Sequence, residues 1–163
     1  MRVRRALIGI CLLAGLAALA IFGLAEHSEE GALAKALPRQ ALSGQPVTLA
    51  AVRGRPALVV FWASWCTPCQ LEAPALERFA QSLHGRATLI GVDWSDNLSG
   101  ARSFIRQYHW TFPNLRDAEG LVGDDYGLSG LPTTFVIDAT GHLRQTLRGP
   151  QTEQTLAHAL SLL

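Results

Sequence analysis

The sequence predicts an α/β domain with a parallel sheet at its centre, and two observations support this. The apolar runs Ala57–Trp62 and 87–92 are continuously hydrophobic, as expected of strands that are covered on both faces. Helix-like segments follow each run, at residues 70–83 and 99–108. This alternation of strand and helix is typical of parallel α/β architecture, and a chain of 163 residues is expected to form one domain.

The first 25 residues predict a membrane anchor. Three arginines within residues 1–5 precede 20 uncharged residues, 6–25, which is long enough to cross a bilayer as a helix. By the positive-inside rule the arginines stay in the cytoplasm, so the rest of the chain lies outside. A cleaved signal peptide is the alternative, although its apolar region usually spans only about 7–15 residues.

Residues 26–37 are polar and predict a tether, which leaves 38–163 as the folded domain. Without the three N-terminal arginines the chain has eleven basic and thirteen acidic residues, so its charge does not favour nucleic-acid binding. At the start of the domain, residues 40–49 predict a small hairpin with Ser43 and Gly44 at its turn.

Cys66 and Cys69 stand two residues apart where the first strand meets the first helix. The start of a helix favours a thiolate, which is the species that attacks a disulfide, and the second sulfur lies one turn further on. Pro68 suits the first turn, where its missing N–H is not needed. Half of a zinc site is the alternative, but the third cysteine is the distant Cys11 and the histidines are scattered.

Further elements follow from composition and spacing. Apolar side chains of the first helix that recur at helical spacing are expected to face the sheet: Leu71, Ala75, Leu76, Phe79 and Leu83. The remaining predicted elements are a polar loop at 93–97, a short helix at 121–126, a hairpin of strands 133–138 and 143–148, and an amphipathic helix at 152–163.

Two segments, WCTPC at 65–69 and GLPTTFVID at 130–138, resemble the active site of thioredoxin-like proteins. The closer resemblance is to membrane-anchored thiol-disulfide oxidoreductases of the TlpA/ResA/CcmG (DsbE) type, and the segment TFPNLRD at 111–117 extends it. The resemblance covers about 38–163. It implies a thioredoxin-like fold, with a mixed central sheet and helices on both faces, and a cis peptide bond at Leu131–Pro132.

The resemblance also implies roles for individual residues. Cys66 is expected to be the attacking nucleophile and Cys69 the resolving thiol. Substrate contacts are expected from the residues around them and from the facing loop: Trp65, Thr67, Pro68, Leu131 and Pro132. No metal and no cofactor are expected.

A proton acceptor is harder to place. Cytoplasmic thioredoxins carry a buried acid six residues before the first cysteine, where this chain has Val60. The TlpA/ResA group carries a glutamate three residues after the second cysteine, and Glu72 has that spacing. Glu72 is therefore a candidate for proton transfer, and an exposed glutamate near a helix N-terminus is the alternative.

The expected function is reduction of partner disulfides by a single-pass protein of a bacterial inner membrane, with its domain in the periplasm or outside. By resemblance, clients include apocytochrome c thiols or copper-site cysteines of a respiratory oxidase, and a membrane thiol carrier supplies electrons. A monomer is expected. Three alternatives remain open: a disulfide-donating oxidase, a copper carrier, and a non-catalytic module on the same fold.

Overall fold

The computed structural model describes residues 30–163, so the predicted anchor and the start of the tether lie outside the described residues. From residue 30 onward, no helix has the length and apolar character needed to cross a membrane. The described part of the tether packs on the domain, where the Gly31 N–H donates to the Leu143 carbonyl at 2.7 Å and the Ala34 N–H to the Gly141 carbonyl at 2.9 Å.

One mixed sheet of six strands forms the centre, in the order β1-β4-β3-β2-β5-β6. The strands are β1 (Ala41–Ser43), β2 (Ala57–Trp62), β3 (Thr88–Trp94), β4 (Asn114–Asp117), β5 (Thr133–Ile137) and β6 (Leu143–Arg148). Strands β2, β3 and β4 are parallel, whereas β1, β5 and β6 pair antiparallel with their neighbours. The predicted parallel centre and the predicted β5–β6 hairpin are therefore confirmed.

The hairpin predicted at residues 40–49 is wrong. Strand β1 instead pairs with β4, with Ala41 opposite Leu115, and Leu49–Val52 forms a 3-10 helix whose first turn is capped by the Thr48 hydroxyl. Both strands of the β1–β4 pair are very short, and their partners lie more than 70 residues apart in the chain. Local sequence pattern does not encode such a pairing, since period-2 alternation needs several residues to be visible.

Helices cover both faces of the sheet. They are α1 (Thr67–Ser82), α2 (Leu98–Gln107), α3 (Leu121–Asp125) and α4 (Glu153–Ser161). Helices α1, α2 and α4 pack in one core cluster with Leu58, Val60 and Trp62 of β2. Helix α3 packs with Val59 and Phe61 on the opposite face. Because side chains alternate along a strand, β2 supplies apolar groups to both layers.

Helix α1 starts at Thr67, three residues earlier than predicted, and its buried face differs from the predicted one. Leu71 is 75% exposed, so its assignment to the core is wrong. The first turns instead bury Cys69, Glu72 and Ala73, before the predicted Leu76 and Phe79 continue the same face. Hydrophobicity alone places Leu71 inside, but the face of α1 that packs against the sheet carries Cys69, Glu72 and Ala73 instead.

Candidate active site

Cys66 and Cys69 form a disulfide at the N-terminus of α1, with their Cα atoms 5.3 Å apart. Cys66 is the N-cap residue, and its Sγ accepts the backbone N–H of Cys69 at 3.2 Å. The Cys66 carbonyl accepts the Gln70 N–H and begins the helical bonding. The sulfur therefore meets a backbone donor and the positive end of the helix dipole, both of which stabilise a thiolate in the reduced state.

The loop that precedes β5 faces the same end of the sheet. Phe61 at the end of β2 is opposite Thr133 at the start of β5, so the segments leading to Cys66 and away from Pro132 meet at one edge. The Leu131–Pro132 peptide bond is cis, as predicted. The Pro132 carbonyl accepts the N–H of Gly149 at 2.9 Å, which joins this loop to the segment before α4.

The predicted substrate-contact residues surround the cysteines unevenly. Trp65 is 56% exposed, and Thr67 and Pro68 are exposed on the first turn of α1. Leu131 is half-buried and Pro132 is buried in the loop between the two core layers. We call Trp65, Thr67, Pro68 and Leu131 the docking surface, since they present mostly apolar groups around two sulfurs that are themselves nearly covered.

Glu72 is 2% exposed, one helical turn beyond Cys69 on the buried face of α1. Its two carboxylate oxygens have no hydrogen-bond partner among the described residues. Burial raises the pKa of Glu72 to about 8, and the Gln151 backbone amide, which is nearby but does not meet hydrogen-bond geometry, opposes this rise only in part. Val60, at the position where cytoplasmic thioredoxins carry their buried acid, is fully buried in the core, and Glu72 is a buried acid on the helix that follows.

A second buried acidic group lies at the end of β3. Asp93 is fully buried, and its Oδ2 accepts from the Arg116 guanidinium at 2.8 Å. Burial, together with the neighbouring Asp96 carboxylate, raises the pKa of Asp93 to about 7 against the opposing charge of Arg116. Sequence analysis placed Asp93 and Asp96 only in a polar loop, whereas Asp93 belongs to the sheet.

The residues that hydrogen-bond to the active-site turn were not predicted from the sequence. Asp96 accepts both the backbone N–H and the hydroxyl of Ser64, across 32 positions of chain. The one available signal was the Asp96–Asn97 pair before a helical pattern, which predicts an N-cap. Asn97 indeed caps α2 through its side chain, but the partner of Asp96 depends on how β2 and β3 pair.

This arrangement has the parts that thiol-disulfide exchange requires. A sulfur at a helix N-terminus is stabilised as a nucleophile, a second sulfur lies within bonding distance, and a buried carboxyl group that titrates near neutral pH lies one turn further along. An exposed apolar surface beside the sulfurs offers a partner protein a place to bind.

Comparison with known proteins covers the same region. The sequence profile of the AhpC/TSA family matches residues 31–146. The chain is 32% identical over 166 aligned residues to the thiol:disulfide interchange protein DsbE of Allochromatium vinosum, with 96% of this chain and 91% of that protein covered. It is 31% identical over 120 residues to the thiol-disulfide oxidoreductase ResA of Bacillus thuringiensis, with 73% and 69% covered.

A solved structure is similar as well. The secreted Mycobacterium tuberculosis disulfide oxidoreductase described as homologous to E. coli DsbE has a TM-score of 0.69 and 27% sequence identity. The comparison covers 78% of this chain and 96% of that one. Because residues 31–146 include both cysteines and the cis-proline loop, the family match extends over the site as well as the fold.

Proposed function

Because this chain belongs to the AhpC/TSA family and is a thioredoxin-like protein thiol-disulfide oxidoreductase, we propose that Cys66 and Cys69 are its redox pair and that it reduces disulfides of partner proteins. The observation that carries this proposal is the position of the Cys66 sulfur, which accepts the Cys69 N–H at the first turn of α1. That position lowers the pKa of a free thiol, and the thiolate is the reactive species.

The reaction runs in two exchange steps. The Cys66 thiolate attacks one sulfur of the substrate disulfide, and the other substrate sulfur leaves as a thiolate. Cys69 then loses its proton, attacks the Cys66 sulfur and releases the second substrate thiol. Two electrons pass to the substrate, whose two sulfurs leave as thiolates and take up protons from the solvent, and the enzyme is left with the Cys66–Cys69 disulfide. A thiol electron donor restores the dithiol by the same exchanges in reverse.

Glu72 serves as the proton acceptor for Cys69 in the second step. It follows Cys69 by three residues on the same buried helix face, where side chains at this spacing are neighbours. A carboxyl group with a pKa of about 8 is close enough to an ordinary thiol to exchange a proton with it near neutral pH. In the reverse direction the protonated Glu72 returns the proton to the Cys69 thiolate.

The docking surface holds the substrate segment that carries the disulfide. Trp65 supplies a large exposed apolar face, and Thr67 and Pro68 flank the sulfurs on the helix side. On the other side, the loop at Leu131 and Pro132 offers a backbone edge beside which an extended peptide adds as a strand. Substrates are therefore proteins with an accessible disulfide in an extended segment.

The sequence before the described residues places this activity outside the cytoplasm. Residues 6–25 anchor the chain in the inner membrane, residues 26–37 tether it, and a monomeric domain faces the periplasm or the exterior. A membrane thiol carrier is then the electron donor. Clients are secreted or membrane proteins whose cysteines must be reduced before they bind haem or copper, as in maturation of c-type cytochromes or respiratory oxidases.

The reduction potential of the Cys66–Cys69 pair tests the proposed direction. We expect the full chain, equilibrated with glutathione or dithiothreitol buffers, to give a potential near or below about −220 mV, on the thioredoxin side of the scale. A value near about −120 mV would instead make the protein a disulfide donor. Cys66→Ser and Cys69→Ser are the matched controls, and the Cys69→Ser variant should accumulate a mixed disulfide on Cys66.

A further inference from the structure

The turn that ends at Cys66 is hydrogen-bonded to a second loop, the one that contains Asp96. Residues Ala63–Cys66 form a turn closed by the bond from the Cys66 N–H to the Ala63 carbonyl. Within it, all three polar atoms of Ser64 are bonded. Its N–H donates to Asp96 Oδ2 at 2.6 Å, its hydroxyl donates to Asp96 Oδ1 at 3.0 Å, and its carbonyl accepts from Gln70 Nε2 at 3.2 Å.

The loop that holds this turn is itself well fixed. Asp96 is 7% exposed, and its Oδ1 also accepts the Asn97 N–H at 2.6 Å. Its carbonyl accepts from Arg116 Nη2 at 2.8 Å, which ties the loop to β4. The preceding Ser95 adopts a left-handed backbone with φ of 49° and donates its N–H to the Asp117 carbonyl at 2.9 Å. A conformation that serine rarely adopts is maintained by its surroundings.

Two further contacts join the loop to the active-site turn. The indole N–H of Trp65 donates to the Ser95 carbonyl at 3.3 Å. At the start of α2, a Cβ atom on Gly100 would lie 2.5 Å from the Ser64 hydroxyl oxygen, so only glycine allows this approach. The start of α2 therefore packs closely against the turn that contains Ser64.

From this geometry we infer that Asp96 is a positioning residue that favours the disulfide form of the Cys66–Cys69 pair, acting through Ser64. The inference rests on the proposed role of this pair. Cys69 is fixed by α1, whereas Cys66 is the cap residue and its placement depends on the preceding turn. Holding that turn keeps the two sulfurs at bonding distance, which is equivalent to a high effective concentration of one for the other.

The direction of the effect follows from how each redox state responds when the two hydrogen bonds from Ser64 to Asp96 are lost. In the oxidised protein the covalent bond continues to hold Cys66 near Cys69. In the reduced protein no covalent bond replaces these hydrogen bonds, so Cys66 gains conformational freedom and the dithiol state gains entropy. Removing the negative charge of Asp96 also favours a nearby thiolate. Both effects move the equilibrium toward the dithiol.

The test is the equilibrium constant for oxidation of the pair by glutathione disulfide, measured on the full chain with wild type, Asp96→Asn and Ser64→Ala. Asp96→Asn keeps the side-chain shape but turns an amide donor toward one of the Ser64 donors. We expect its constant to fall about tenfold, which corresponds to a potential about 30 mV less negative. Ser64→Ala retains the charge and the backbone bond, and a smaller fall of about threefold is expected.

Ser99→Ala is the matched control. It removes a hydroxyl from the same region that donates to Asn97 rather than to Asp96, and it should leave the constant unchanged. Equal constants for wild type, Asp96→Asn and Ser64→Ala would overturn the inference while leaving the proposed function intact. A wild-type pair that undergoes no thiol-disulfide exchange with either glutathione or dithiothreitol would overturn both. If Asp96→Asn does not fold, the fall expected for Ser64→Ala decides alone.

Discussion

Helix α1 buries two glutamates, and they differ in the hydrogen bonds that each of them receives. Glu77 is 7% exposed, and its carboxylate accepts the N–H and the hydroxyl of Thr111, both at 2.8 Å, and the Gln81 amide at 2.9 Å. Glu72, five residues earlier, is 2% exposed and has no hydrogen-bond partner among residues 30–163. The helix thus satisfies one buried carboxylate completely and leaves the other without a donor.

The difference teaches that burial by itself says little about function. The three donors bond to the carboxylate oxygens of Glu77, and those from Thr111 link α1 to the segment before β4. A buried carboxyl without donors avoids the desolvation cost by keeping its proton, and its pKa rises to about 8. Glu72, which has no hydrogen-bond partner in the described part of the chain, is the one that lies one helical turn from Cys69.

The largest expected effect concerns pH and stability. The pKa of Glu72 is raised from 4.5 to about 8 on folding, so between these values the folded state binds a proton that the unfolded state releases. The contribution of Glu72 to the free energy of unfolding is largest below pH 4.5, and it falls by about 1.4 kcal/mol per pH unit as the pH rises toward 8. Glu72→Gln has no such titrating group, so the difference in unfolding free energy between this variant and wild type should rise in its favour by about 3 kcal/mol from pH 5 to pH 7.5.

Urea unfolding of the two oxidised proteins at several pH values measures this gain. Asp93, whose pKa is also raised, is present in both proteins and cancels in the difference. Parallel stability curves for wild type and Glu72→Gln would show that Glu72 does not retain its proton on folding, and the contrast with Glu77 would disappear.

The next largest effect is a loss of stability at Glu77. Glu77→Gln removes the charge from three hydrogen bonds and turns an amide donor toward Thr111 or Gln81, so the unfolding free energy at pH 7 should fall by about 2 kcal/mol. Thr111→Val, which removes only the hydroxyl donor, should lose about 1 kcal/mol. Measured in a double-mutant cycle, additive losses would mean that Glu77 and Thr111 do not act together.

Catalysis should depend on Glu72 and should be nearly independent of Glu77. Glu72→Gln cannot accept the Cys69 proton, and we expect reduction of a protein disulfide at pH 7 to slow about tenfold. Glu77→Gln should stay within about twofold of wild type. The pH profile of cysteine alkylation in the reduced protein provides the second measurement. If Glu72→Gln leaves both the rate and that profile unchanged, its part in proton transfer is wrong.

The smallest effect is expected on the outer face of the same helix. Leu71 is 75% exposed, so Leu71→Ser should change the unfolding free energy by no more than about 0.5 kcal/mol. The Glu77→Gln measurement provides the scale for this comparison. A loss of several kcal/mol at Leu71 would place it in the core after all and would require a different rotation of α1.

Much of the site was predictable from the sequence because it depends on local order. The cysteine spacing, the proline at the helix start and the apolar run before them define a strand, a turn and a capped helix within residues 57–82. The identification of the oxidoreductase family is confirmed by the comparisons, and the cis bond at Leu131–Pro132 is confirmed by the structure. The boundaries of β2 and of the β5–β6 hairpin match their predictions closely.

The parts that failed depend on contacts between distant segments. Whether Glu72 or Leu71 faces inward depends on which face of α1 packs against the sheet and the other helices of that layer. The pairing of β1 with β4 was likewise invisible in two segments of three and four residues.

By itself, then, the sequence determined the position of the two cysteines at a strand-to-helix junction, the fold class and the loop that faces them, since motif spacing and apolar periodicity act over short stretches of chain. Only the tertiary structure decided which carboxylates are buried, which of these have donors, and that Asp96 reaches back 32 positions to Ser64. The physical reason is that desolvation and hydrogen bonding depend on what surrounds a side chain in space. These surroundings come from the parallel register of β2 and β3, which sets Trp62 opposite Asp93 and brings the following loops together.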